Sequence, residues 1–210
     1  MLRKDAELRE TGRVEAFSDG VFAIALTLLM LELHLPKDSD ITRLGGLFPA
    51  LLSMWSGFAA YVLGFVFVLT GWINHHKLVT HLRTVDGAAL ILNGMLLFTF
   101  TVIPFPVSLH AAPIADDGAK TAIIIFCSCN LFVAVAYHLF WKYSSKSMRL
   151  LRSDMNVEMV QAITREYNIV LPIYFIAFVL SFIMPFSGLC IDCLLLIYFA
   201  VHGFRSADVF

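Results

Sequence analysis

Charge is scarce in this sequence. Asp, Glu, Lys and Arg make up 15% of its 210 residues, 59% are hydrophobic, and the mean hydropathy is +0.80. A soluble domain of this size needs more polar surface, so that class is excluded. The charge that is present is balanced, with a net of −1, which leaves no bulk attraction for nucleic acid. Cysteine is sparse as well: Cys127, Cys129, Cys190 and Cys193. Cys190 and Cys193 have a CxxC spacing, but no matching second pair completes a structural zinc site. Cys127 and Cys129, two apart, fall on different faces of a helix. All four lie in or beside apolar runs and are expected to be buried, inert thiols. No A-x-A cleavage site follows the first apolar run, which holds Glu15, Asp19 and Glu32. That run is therefore expected to stay in place and not to act as a removable signal peptide.

What the sequence does have is long apolar blocks. A helix rising about 1.5 Å per residue crosses a ~30 Å hydrocarbon core with ~20 apolar residues. Such blocks fall at about 13–35, 48–73, 88–109, 119–141, 167–185 and 188–204. They predict an all-α, polytopic membrane protein with six transmembrane helices in one domain, without internal repeats. The charged residues 1–12 read as a cytoplasmic lead-in, and Pro36 stops the first span. Trp72 to Lys77 form a polar, aromatic exit from the second. Pro104 and Pro106 kink or break the last turns of the third. Residues 110–118 form a short exposed loop, and 142–166 the longest hydrophilic stretch. The last two spans join at Pro185, Ser187 and Gly188, and a single broken re-entrant hairpin is the alternative there.

Lysine and arginine set the orientation. One side receives Arg3, Lys4, Arg9, Arg13, Lys77, Arg83, Lys142, Lys146, Arg149, Arg152, Arg165 and Arg205; the other receives Lys37, Arg43 and Lys120. Twelve against three places both termini in the cytoplasm.

The first span carries the chemistry. An ionisable group in a membrane helix is costly unless paired or wet, so each is a functional candidate. Successive helix residues stand about 100° apart. With Ile24 as origin, Arg13, Phe17, Gly20, Leu28, Leu31 and Leu35 fall within about 40°, and Thr27 about 60° away. Glu15, Ser18 and Asp19 lie about 120–180° away. An apolar stripe thus opposes a polar patch near the cytoplasmic end, and that patch must face other helices. Trp72, His75, His76 and Asn93 lie at matching depth to satisfy Ser18 and Asp19 by interhelical hydrogen bonds. Locking of helices is the preferred role for Asp19, ahead of direct ion binding. Glu32, about 40° from Leu28, reads either as a carboxylate ring at the outer mouth or as a solvated interface acid.

Arg13-Val14-Glu15-Ala16-Phe17-Ser18-Asp19-Gly20, opening the first hydrophobic helix, resembles the RxxxFSD signature of the transmembrane-protein-175 family of potassium channels. Trp72 with His75 and His76, then Asn93, then Pro104-Phe105-Pro106 are also similar to the family's pattern. The resemblance covers nearly the whole chain, although the last two spans match only in hydrophobicity. It implies a homotetramer in the cell membrane, with the first helix of each subunit lining a central pore for K⁺ and no cofactor. It further implies a hydrophobic constriction, carried onto Ile24, Leu28 and Leu31, with Thr27 as a hydroxyl-bearing layer. A TVGYG-type carbonyl filter is not implied, and no such motif occurs. A ring of apolar side chains gates by dewetting, so selectivity is expected to be weaker than in a carbonyl filter.

Two other readings compete. One is a proton-coupled transporter with Asp19 and the His75/His76 pair as relay groups, since histidine titrates near neutral pH. The other is a membrane haem or metal enzyme drawing on His75, His76, His81, His110, His138 or His202. Adjacent histidines point about 100° apart on a helix, a poor arrangement for one metal. The channel reading is preferred, with neither catalytic residues nor metal ligands assigned.

Overall fold

Inside a bilayer every backbone N–H and C=O must be paired within the protein, which turns long apolar blocks into helices. A computed structural model describes residues 9–111 and 116–207, with side chains for 11–109 and 118–201. The start of the charged lead-in, part of the 110–118 loop, and the side chains of His110, His202 and Arg205 lie outside the described residues. A two-residue strand, β1 (Arg9–Glu10), leads into α1 (Thr11–Leu31). Two short helices follow, α2 (Asp38–Arg43) and α3 (Leu47–Ser53), then α4 (Trp55–Thr80) and β2 (Thr84–Val85). The third apolar block forms α5 (Gly87–Thr101) and α6 (Pro104–Ala111), and the fourth forms α7 (Asp116–Ser144). A 3-10 turn (Lys146–Met148), α8 (Val157–Ile183) and α9 (Pro185–Ala207) complete the described residues.

Among the described residues the architecture is all-α apart from the two short strands. Five stretches among the described residues are long and apolar enough to cross a membrane: α1, α4, Gly87–Leu109, Gly118–Ser144 and α8. A shorter apolar stretch, Pro185–Val201, is the sixth. α7 is central and packs on α5, α6, α8 and α9, whereas α1 packs chiefly on α4, α5 and α6. Glycine makes close approach possible at Gly64, Gly71 and Gly188. A Cβ at Gly71 would come within 2.2 Å of the Phe100 ring, and one at Gly188 within 2.6 Å of the Ala177 carbonyl oxygen on α8.

Helix ends differ most from the apolar block ends in three places. α1 stops at Leu31, not at 35: the Glu32 and Leu33 amides turn back to the carbonyls of Leu29 and Met30 at 3.3 and 3.2 Å. Pro36 disfavours helical backbone at the residue before it. Glu32 therefore lies past the helix, and the angle assigned to it does not apply. The second block, 48–73, divides at Met54 and extends to Thr80. Its polar turn, from Asn74 to Lys77, is helix and not exit: His75 and His76 find partners on neighbouring helices, and Asn74 donates back to the Thr70 carbonyl. α8 begins at Val157, not 167, where the Asn156 side chain accepts the Met159 amide at 2.8 Å as an N-cap. Hydropathy reports where the hydrocarbon is; backbone pairing carries a helix into the water layer beyond it. α8 and α9 are separate helices of 27 and 23 residues.

The cysteines also depart from expectation. Cys127 is buried and Cys129 and Cys193 are half-buried, but Cys190 is exposed; all four are free thiols. Cys190 shares the outward face of α9 with Phe186, Leu194 and Ile197, which are exposed too.

The segments assigned to one side of the membrane meet one another. β1 pairs antiparallel with β2, Arg9 opposite Val85, while Leu82 bridges to Leu151. The Arg83 amide donates to the Leu150 carbonyl at 2.9 Å and the Arg152 amide to the His81 carbonyl at 3.0 Å. Asp86 closes this surface: it accepts from the Ala89 amide at 2.9 Å, from the Tyr143 hydroxyl at 2.8 Å and from Arg149. Partial burial pushes its carboxyl up, but the bonds from Ala89, Tyr143 and Arg149 outweigh it and hold Asp86 below the usual carboxylate range. A value lower in the folded than in the unfolded state stabilises the fold above the ordinary carboxylate pKa of about 3.9. That stabilisation is lost as pH falls through the lower, folded value. The thermal-stability advantage of wild type over Asp86→Asn should therefore be constant near neutral pH and shrink in acid; an advantage that grows in acid would contradict it.

Candidate functional site

α1 has two unlike faces. Val14, Ser18, Phe22, Ala25 and Leu29 recur every three or four residues and are buried against the subunit. Phe17, Ile24, Leu28 and Leu31 on the opposite side are 65%, 61%, 41% and 72% exposed. Thr27 is exposed beside them, and its hydroxyl donates to the Ile24 carbonyl at 2.8 Å. Arg13 is exposed on the same side. Neither Arg13 nor Phe17 joins the polar contacts described next.

The buried face is held by hydrogen bonds to α4 and α5. Asn93 Nδ2 donates to Ser18 Oγ at 3.1 Å, and Ser18 Oγ donates to the Val14 carbonyl at 2.7 Å. His75 Nε2 lies 2.7 Å from Asn93 Oδ1. An amide oxygen only accepts, so Nε2 carries the hydrogen of this bond. Ser18, His75 and Asn93 are all buried, and the Phe22 ring covers His75 with centroids 5.4 Å apart. One turn along, Trp72 Nε1 donates to Asp19 Oδ1 at 2.8 Å. His76 points elsewhere: its Nδ1 sits 2.8 Å from Glu15 Oε1, with both side chains partly exposed. Sequence reasoning placed Glu15 on the polar face without giving it this partner. Together these bonds fix the rotation of α1 on α4 and α5, and so decide which side chains it turns outward.

A second polar pair escaped sequence reasoning altogether. Asn130 Nδ2 on α7 donates to Asp192 Oδ2 on α9 at 2.7 Å, both side chains being buried. An acid inside an apolar block was the signal available. Among the described residues no three His, Cys, Asp or Glu side chains gather in a way that would hold a metal ion.

Comparison with known proteins places this geometry. A sequence model described as the endosomal/lysosomal potassium channel TMEM175 matches residues 13–104. A potassium channel of Chamaesiphon minutus is 38% identical over 197 residues, which cover 94% of this chain and 97% of that protein. A potassium channel of Streptomyces collinus is 36% identical over 144 residues, 68% of each chain. The crystal structure of a lysosomal potassium-selective channel TMEM175 homolog from Chamaesiphon minutus matches with a TM-score of 0.81 at 35% identity, covering 92% of this chain and 97% of that one. With a relative aligned nearly end to end and the same fold, the chain belongs to the TMEM175 family.

Proposed function

We propose that the chain is one subunit of a homotetrameric potassium channel whose pore is lined by α1. The observation that carries this reading is the division of α1 into an anchored face and a bare one. Ser18 and Asp19 hold the helix from behind, while Ile24, Leu28 and Leu31 stand uncovered on the front. Four such faces around a common axis bury each other and close a narrow apolar passage. A passage without polar ligands conducts only when wetted, so the side chains at Ile24, Leu28 and Leu31 set its barrier. The Thr27 hydroxyl spends its hydrogen on the Ile24 carbonyl, which leaves its oxygen lone pairs free to meet a cation. Glu32 follows at the outer end, and the lysine and arginine asymmetry puts both termini in the cytoplasm of a cell-membrane protein. The reading is supported by relatives of nearly full length that are named potassium channels.

The test is recording from purified protein in planar bilayers under opposed K⁺ and Na⁺ gradients. Discrete openings, with a reversal potential displaced toward the K⁺ equilibrium potential, are expected. A saturating flux without openings would favour the proton-coupled transporter and end the channel assignment.

A further inference from the structure

The Asn130–Asp192 pair is a buried polar contact of the subunit interior of which the reading of α1 makes no use. Asn130 is the middle residue of α7, so the pair sits at membrane depth, away from α1. Asp192 is 3% exposed and Asn130 1%. They share one hydrogen bond, at 2.7 Å; the Cys127 thiol also bonds to the Asp192 carboxylate, and Asp192 Oδ1 and Asn130 Oδ1 are buried with no N–H or O–H donor among the described residues. The groups that face Asp192 are the Cys127 thiol of α7, the Tyr174 phenol of α8, and Cys193 on α9 itself. Ser181 of α8, close to Cys127, commits its hydroxyl to the Phe178 carbonyl at 2.6 Å. Among the described residues no Lys, Arg or His acts on Asp192.

Two buried acceptor oxygens, one of them on an acid, have neither an N–H or O–H donor nor a positive charge beside them. Turning the amide over does not cure the deficit. Its oxygen would then face a carboxylate oxygen at hydrogen-bond distance, which only a proton between them can hold, and its two N–H groups would be orphaned. We propose that Asp192 and Asn130 form a site for one positive charge, a proton or an alkali cation, inside each subunit and separate from the pore helix. The site joins α7 to α9 only while that charge is in place, so its occupancy is coupled to the packing of the outer helices.

The test compares full-length wild type, Asp192→Asn and Asn130→Leu in lipid nanodiscs by thermal midpoint. Each is measured in KCl, NaCl and N-methyl-D-glucamine chloride at fixed pH, then across pH at fixed KCl. If the charge is a proton, the wild-type midpoint should fall several degrees on moving to alkaline buffer, and Asp192→Asn should not share that fall. If it is an alkali cation, the midpoint should rise several degrees in KCl or NaCl, and both variants should lose the rise. Responses to pH and cation that are the same in wild type and variants overturn the proposal. Should the variants fail to fold, infrared spectra of wild type decide. The C=O stretch of a neutral carboxylic acid at neutral pH marks the proton. Its absence with a cation-dependent midpoint marks the alkali ion, and its absence with a cation-independent midpoint overturns the site.

Discussion

Replacing Ile24 with Asn should raise single-channel conductance several-fold and weaken the preference for K⁺ over Na⁺. Ile24 is 61% exposed on a subunit whose other α1 face is packed, and in the proposed tetramer four copies meet on the axis. Nothing polar on that ring replaces the water an ion must shed, so the barrier rests on apolar bulk. An amide in its place holds water in the constriction, and each ~1.4 kcal/mol taken off the barrier is about tenfold in rate. Loss of discrimination follows, because a wetter ring lets Na⁺ pass with its hydration intact. The control is Ala23→Asn. Ala23 is also exposed but points about 100° away, so the same amide there should leave conductance and selectivity nearly as they were. Recording both variants beside wild type settles it. If Ala23→Asn changes both properties and Ile24→Asn neither, α1 has been given the wrong rotation.

Asn93→Leu should abolish current and shift purified protein from tetramer toward smaller species. The side chain is isosteric enough to fill its space, yet it removes the partner of two buried groups at once. His75 Nε2 loses its acceptor at 2.7 Å and Ser18 loses its donor at 3.1 Å. Leaving a buried polar group unmatched costs about 1–3 kcal/mol, a large part of a stability of roughly 5–15 kcal/mol. Asp19→Ala should act in the same direction by freeing the indole N–H of Trp72. The double variant should cost less than the sum, since the two contacts hold one helix in one orientation. Size-exclusion profiles in mild detergent and bilayer recording are the measurements. A stable Asp19→Ala tetramer with wild-type current would mean that this contact does not position the pore helix.

The two faces of α1 were legible from sequence because one helical period suffices: side chains 100° apart on a rigid element fall where arithmetic puts them. The depth of Ser18, Asp19, Trp72, His75 and Asn93 was legible for the same reason, since polar groups inside apolar blocks must meet each other. Where the helices stop was not. Hydropathy followed the bilayer, while backbone pairing carried α4 on to Thr80 and started α8 at Val157. Glu32 was placed on a helical face that ends one residue earlier. The partners that escaped are those chosen by packing. Glu15 takes His76 in place of the other available donors, and Asn130 finds Asp192 across 62 residues of sequence. No local pattern encodes that α7 and α9 pass close enough to touch there.

The ladder between β1 and β2 has a mechanical consequence. It ties the chain just ahead of Thr11 to the turn between α4 and α5, and the bonds at Ser18 and Asp19 grip the same end of the helix. At the far end α1 runs into a turn ahead of Pro36. Between its two ends Phe22, Ala25 and Leu29 are buried on the subunit, so the helix is held along its length and tilts only together with the helices behind it. At 1.5 Å per residue, Ile24 stands about 20 Å from Thr11 and Leu31 about 30 Å. In the proposed tetramer, a tilt of that body about its base moves the ring at Leu31 roughly half again as far as the ring at Ile24.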